Sequence, residues 1–159
     1  MKDRLKFRAF YKDFALCDDE KGDYTKSFMI NNVSPYGGYD VGTYVEDFED
    51  QFAEQGFTED EIEQVRDYFT YSEYDDWVNF WVDDVEQCTS LRDKNGKLIY
   101  EGDIVKVYSI TGVVVRDEYG FLFKMGDVCE PLRHFDNAKK TFEIIGNIHN
   151  NPELLEGVK

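Results

Sequence analysis

Basic side chains, cysteine and histidine are all scarce in this chain, and each shortage counts against a class of function. The 159 residues include 18 Lys and Arg against 34 Asp and Glu, a formal net charge of −16. That balance argues against a protein whose main surface grips phosphates. The three cysteines, Cys17, Cys88 and Cys129, are odd in number and widely spaced, which gives neither a disulfide framework nor a metal-site pattern. The two histidines, His134 and His149, sit near no cysteine or second histidine in sequence, so a zinc site from His134, His149, Cys129 and Cys88 would have to be assembled by folding alone. No run approaches the roughly 18 apolar residues of a membrane span, and MKDRLKFRAF lacks an apolar core of signal-peptide length. A cytoplasmic protein is expected. No glycine loop has phosphate-binding spacing, and no G-x-S-x-G or Cys–His signature occurs. With 34 acids, neighbouring carboxylates arise by chance and identify no acid–base pair. The expectation is therefore no enzyme, with no catalytic residue, no metal and no cofactor.

What is present is aromatic and acidic. Hydrophobic residues make up 42% and aromatics 16%, too much apolar material for a disordered chain. Composition divides the chain into three parts: 1–39, 40–86 and 87–159. Residues 1–39 open with Leu5, Phe7 and Ala9 alternating with Lys6 and Arg8, the period of a half-buried strand, and end in Pro35, Gly37 and Gly38. The middle part has helical spacing, and the last part returns to short β-rich runs.

The middle part carries the whole net charge. Residues 40–86 contain 17 acids and one base, Arg66. Val45, Phe48 and Phe52 fall on one helical face, with Gly56 placed as a C-terminal cap. Thr58 and Glu61 have capping-box spacing ahead of Ile62, Val65 and Phe69. A third helix is expected from Ser72, with Tyr74, Trp77, Val78, Trp81 and Val85 as its stripe; Phe80 and Val82 fit neither of its faces.

Two rows of acids run along the first two helices: Glu46, Asp50 and Glu54, then Glu59, Glu63 and Asp67. Like charges at i, i+4 cost roughly 0.2–0.5 kcal/mol per pair, so the four pairs cost about 1–2 kcal/mol. Acids in a first turn are favoured by the helix dipole, but those further along are not. One reading is a solvated acidic face over an aromatic core. The other is a surface whose carboxylates, roughly 5–6 Å apart, imitate a nucleic-acid backbone and enter the basic groove of a nuclease or other nucleic-acid-handling protein. Its candidate contacts are Glu46, Asp50, Glu54, Glu59, Glu63, Asp67, Asp76 and Asp83, with Phe80, Trp77 or a tyrosine as anchor.

In residues 87–159, Asn95-Gly96 suits a type I′ hairpin, and glycines at 112, 120 and 126 break the rest into strands of about five residues. That is the pattern of a small SH3-like or meander barrel. Such a barrel could bind nucleic acid through Arg92, Lys94, Lys97, Lys139 and Lys140, with Tyr100 and Tyr108 stacking on bases. The charge elsewhere opposes this.

Three stretches, RLKFRAF at 4–10, LRDKNGKLIYEGDIVKV at 91–107 and FEIIGNIHNNPELLE at 142–156, resemble the YopX family of phage and prophage proteins from low-GC Gram-positive bacteria. Cys88 and Ser90 stand where the family usually has Tyr and Gly, and Phe10 where it commonly has Trp. The resemblance implies an α+β protein with a mostly β core built from both ends of the chain, around an acidic helical insertion of about three short helices at 40–86. It implies no catalytic residues. It places the protein in a bacterial host cytoplasm and favours an anti-CRISPR or other anti-defence inhibitor; the alternative is an accessory phage protein that binds nucleic acid or another protein through its β-barrel.

Overall fold

The computed structural model describes residues 6–37, 40–72, 77–135 and 138–156. Lys6–Val85 forms one compact unit, and a second runs from Glu86 onward. The boundary differs from the expected three-part division, because the N-terminal strands share a core with the acidic helices rather than with the C-terminal strands.

In the first unit, β1 (Phe7–Leu16) and β2 (Tyr24–Gly37) form a long antiparallel hairpin. β3 (Asp40–Tyr44) follows, then α1 (Val45–Glu54), α2 (Glu59–Tyr68), β4 (Thr70–Ser72) and β5 (Trp77–Trp81). The strand order is β4-β5-β3-β2-β1. The helices lay their aromatic faces on this sheet. Phe28 of β2 is the hub, with ring centroids of Tyr11, Phe14, Phe48, Phe52, Phe57 and Phe69 at 4.9–6.5 Å from its own. Edge-to-face pairs dominate, worth about 0.5–1.5 kcal/mol each beyond burial.

The expected third helix is instead strand. β5 pairs with β3 in the register Val41↔Phe80, Gly42↔Asn79, Thr43↔Val78. Val78, Phe80 and Val82 are buried, whereas Asn79, Trp81 and Asp83 are exposed, a period of two. The two residues that a helical stripe could not place, Phe80 and Val82, are thus inward residues of an extended segment. Trp81, placed in the core by the helical pattern, faces water. The physical reason is pairing: β3 needs a backbone partner on this side, and the apolar run WVNFWV satisfies either period.

The second unit contains most of β6 (Asp84–Arg92), which pairs with β7 (Leu98–Tyr100). β8 (Asp103–Val107), β9 (Ile110–Asp117), β10 (Gly120–Met125), β11 (Val128–Pro131) and β12 (Phe142–Asn147) form an antiparallel sheet ordered β11-β10-β9-β8-β12. A single helical turn, α3 (Ala138–Thr141), precedes β12. The strand meander is as expected, but the sheet does not close: its ends are β11 and β12, which are not paired with each other. The SH3-like barrel is therefore replaced by an open sheet over a core of Ile99, Val105, Phe123 and Phe142.

The Asn95-Gly96 turn is also built differently from a type I′ hairpin. Only Gly96 is left-handed (φ 82°), and buried Asp93 holds the turn by accepting hydrogen bonds from the Asn95 and Lys97 amides at 2.9 Å. Gly102, at φ 86°, is fixed more tightly, since a Cβ there would lie 2.1 Å from Glu86 Oε1. The Glu86 carboxylate is itself buried and 2.8 Å from His149 Nε2.

The hub geometry sets an expected stability loss. Phe28→Ala removes a fully enclosed ring from among six others and should destabilise the first unit by about 3–5 kcal/mol, read as a lowered urea midpoint. A loss below about 1 kcal/mol would contradict the central place given to this ring.

Candidate interaction surface

Local sequence signals fix the two acidic helices. α1 ends in a Schellman turn: Gly56 adopts φ 83°, its amide donates to Ala53 O at 3.2 Å, and the Phe57 amide donates to Phe52 O at 3.0 Å. The Phe52 and Phe57 rings meet at 5.1 Å, closing the turn with an apolar contact. α2 begins with the expected capping box, in which Glu61 N–H donates to Thr58 Oγ1 and Thr58 N–H donates to Glu61 Oε2.

Glu61 has a second task that its spacing did not reveal. It is only 5% exposed, and its carboxylate also accepts from Lys26 Nζ at 2.7 Å and from the Tyr24 hydroxyl. Burial pushes its pKa up, but the hydrogen bonds from Lys26, Tyr24 and the Thr58 amide outweigh this and hold it below the usual glutamate value. The Tyr24 hydroxyl, which donates to this carboxylate, is correspondingly pushed up to about 12.

Three glutamines dock the helices onto strand backbone. Gln55 accepts from Met29 N–H and donates to Met29 O, both at 2.7 Å; Gln51 does the same with Asn31 at 2.7 and 3.2 Å. Gln64 of α2 accepts from Cys17 N–H at 2.8 Å and donates to Cys17 O at 3.0 Å. Their carboxamides thereby act as short substitute strands.

Held this way, the helices bring acids from both rows to one groove of about 640 Å³, lined by Glu49, Asp50, Ala53, Glu59, Ile62, Glu63 and Arg66. Arg66 forks onto Glu49, with Nε–Oε1 at 2.7 Å and Nη2–Oε2 at 2.8 Å. Asp50, Glu59 and Glu63 are exposed and have no cationic partner among the described residues. Glu46, Glu54 and Asp67 are exposed on the same helices outside the groove lining.

The remaining candidates are placed differently. Asp83 is exposed, and its carboxylate accepts from the Lys12 amide. Asp76 lies outside the described residues. Phe80, the expected anchor, is 3% exposed and packed 4.9 Å from Phe48 and 5.5 Å from Phe69, so it cannot reach a partner. The exposed aromatics of this unit are instead Tyr44, Tyr68 and Trp81. The alternation Val78, Phe80, Val82 was the signal that would have exchanged Phe80 for Trp81.

Of the residues named for the alternative readings, Tyr108 is exposed. Among the described residues, no three of Cys88, Cys129, His134 and His149 come within metal-ligating distance of one another. Tyr100 is buried and unable to stack on a base, and in the hairpin Lys94 pairs with Glu143 at 2.8 Å while Arg92 donates to Gly96 O at 2.9 Å.

These features define an α+β protein of two units with open antiparallel sheets, one of them covered by a pair of acidic helices. It belongs to the YopX family, a family of phage type: the family model described as YopX protein matches residues 40–156, nearly three-quarters of the chain and including the whole acidic block. The crystal structure of protein EF1440 from Enterococcus faecalis is similar over 94% of this chain and 98% of that one, at 21% identity and a TM-score of 0.46. No curated protein matches the chain.

The Glu61 cluster gives a pH dependence. A depressed folded-state pKa contributes stability that is present above the unfolded value near 4.5 and is lost as pH falls through the folded one. Glu61→Gln should therefore be less stable than wild type by about 1–3 kcal/mol at neutral pH, with the gap closing under acid. Urea titrations at several pH values check this; a constant gap would mean that the carboxylate charge is not what matters.

Proposed function

We propose that this YopX-family protein is a non-catalytic inhibitor that binds stoichiometrically to a protein with a basic nucleic-acid-binding groove and occupies that groove with the acidic surface of α1 and α2. The observation that carries the reading is the convergence of Asp50, Glu59 and Glu63 on one groove whose single cation, Arg66, is paired with Glu49, which leaves these three acids without a cationic partner of their own among the described residues. Carboxylates at helical spacing offer charge at a density that suits a site shaped for phosphates. Their long-range field speeds encounter with such a partner and makes binding salt-sensitive. An anti-CRISPR or other anti-defence role in a bacterial cytoplasm is the concrete form of this function, the partner being a nuclease or defence effector.

Folding economy supports the same reading. The rows repel themselves, and a few lysines would relieve the repulsion without touching the core. Sequences that keep such a cost commonly do so where a surface has a task that stability does not reward.

The test follows from that conflict. Asp50→Lys with Glu63→Lys converts all four like-charge i, i+4 pairs into opposite-charge pairs and should raise stability by about 1–2 kcal/mol. The same double variant should lose at least about tenfold in affinity for a partner captured from host lysate, and wild-type capture should weaken between about 50 and about 300 mM salt. Unchanged capture by a folded double variant would remove the basis for the proposal.

A further inference from the structure

We propose that the outer face of the β3–β5 ladder is a docking face for an arginine- or lysine-rich segment of a protein partner, with a partner cation stacked on the indole of Trp81. This deepens the reading above and rests on it. The ladder register turns Val41, Thr43, Val78 and Phe80 inward, all at most 3% exposed. The opposite side carries Trp81 and Tyr44, which are 66% and 59% exposed. They stand four residues apart along the register, about 13 Å at strand rise. Between them Asn79, exposed, is paired with Gly42, which is buried.

Two large aromatics thus stand exposed on one side of a hydrogen-bonded ladder. Neither ring is needed for the core, whose aromatic cluster closes on the other side through Phe28, Phe48, Phe69 and Phe80. Rigid exposed Trp and Tyr are the side chains that most often dominate binding energy, because they bury much area while losing little rotamer freedom. The sign of the partner follows from charge beside the indole as well as from the unit as a whole: Asp83 is exposed two residues after Trp81, on the same side of the alternation. Lys6–Val85 contains 21 acids against 6 bases, so an anionic or neutral segment gains little here, whereas a cationic one is drawn to the face and finds an indole surface. Among aromatics, indole is the strongest cation–π acceptor.

Fluorescently labelled deca-arginine serves as the probe, titrated by anisotropy into the full chain at low and at moderate salt, with deca-glutamate as the control. Trp81→Ala should weaken deca-arginine binding about 3- to 30-fold, most visibly at moderate salt where diffuse attraction is screened. Trp81→Phe should fall between wild type and the alanine variant, and Tyr44→Ala should weaken binding in the same direction. Because Trp81 is exposed, Trp81→Ala should leave the melting temperature within about 2 °C of wild type. Equal binding by wild type and Trp81→Ala would overturn the proposal. So would a large drop in melting temperature, which would make the indole a packing residue. If the Asp50→Lys, Glu63→Lys variant loses deca-arginine while Trp81→Ala retains it, the docking face fails and the helix-groove reading survives. If neither substitution matters, both fail.

Discussion

The aromatic core of the acidic unit is gathered around one phenylalanine, which six other rings contact. Phe28 lies on β2, and the rings around it come from β1, from α1, from the turn between the helices and from Phe69, which caps the end of α2. Burying a ring of this size is worth roughly 1.5–3 kcal/mol, and each edge-to-face neighbour adds to that. The self-repulsion of the acid rows is smaller than this one cluster. An aromatic core of this density lets the surface above it be chosen with little regard for stability.

The acids divide into those that build and those that face outward. Glu61 is a structural carboxylate, buried under Lys26, Tyr24 and its own cap, and Glu49 is occupied by Arg66. Each neutralised acid ties two elements together: α2 to β2 in one case, α1 to α2 in the other. Asp50, Glu59 and Glu63 tie nothing together, although they stand beside the Arg66–Glu49 pair in the same groove. Lys26 and Arg66 are thus used for architecture, and Asp50, Glu59 and Glu63 are left facing outward.

Much of this was legible in the sequence where a signal was local. Gly56, Thr58 and Glu61 announce a helix end and a helix start through backbone chemistry that acts within four residues, and both formed as read. The third helix failed because WVNFWV is apolar at both periods, and what decided its form was β3, more than thirty residues earlier in the chain. The closed barrel failed for a similar reason. Short strands and regular glycines specify a meander, but whether its first and last strands pair depends on registers that no local pattern records. The acid rows that contain Asp50, Glu59 and Glu63 were legible because charge spacing on a helix is local. Glu49 and Arg66, seventeen residues apart, were not paired in advance.

The glutamine contacts give the helices an unusual relation to the sheet. Met29 and Asn31 on β2, and Cys17 just beyond β1, have both their amide and their carbonyl satisfied by a side chain instead of by a neighbouring strand. A backbone ladder opens only when strands separate, but these bonds open whenever a helix lifts while the strands remain paired to each other. Slow solvent exchange at the Cys17, Met29 and Asn31 amides therefore records the seating of the two helices, and a sheet edge left bare by their departure would offer main-chain groups to any extended segment nearby.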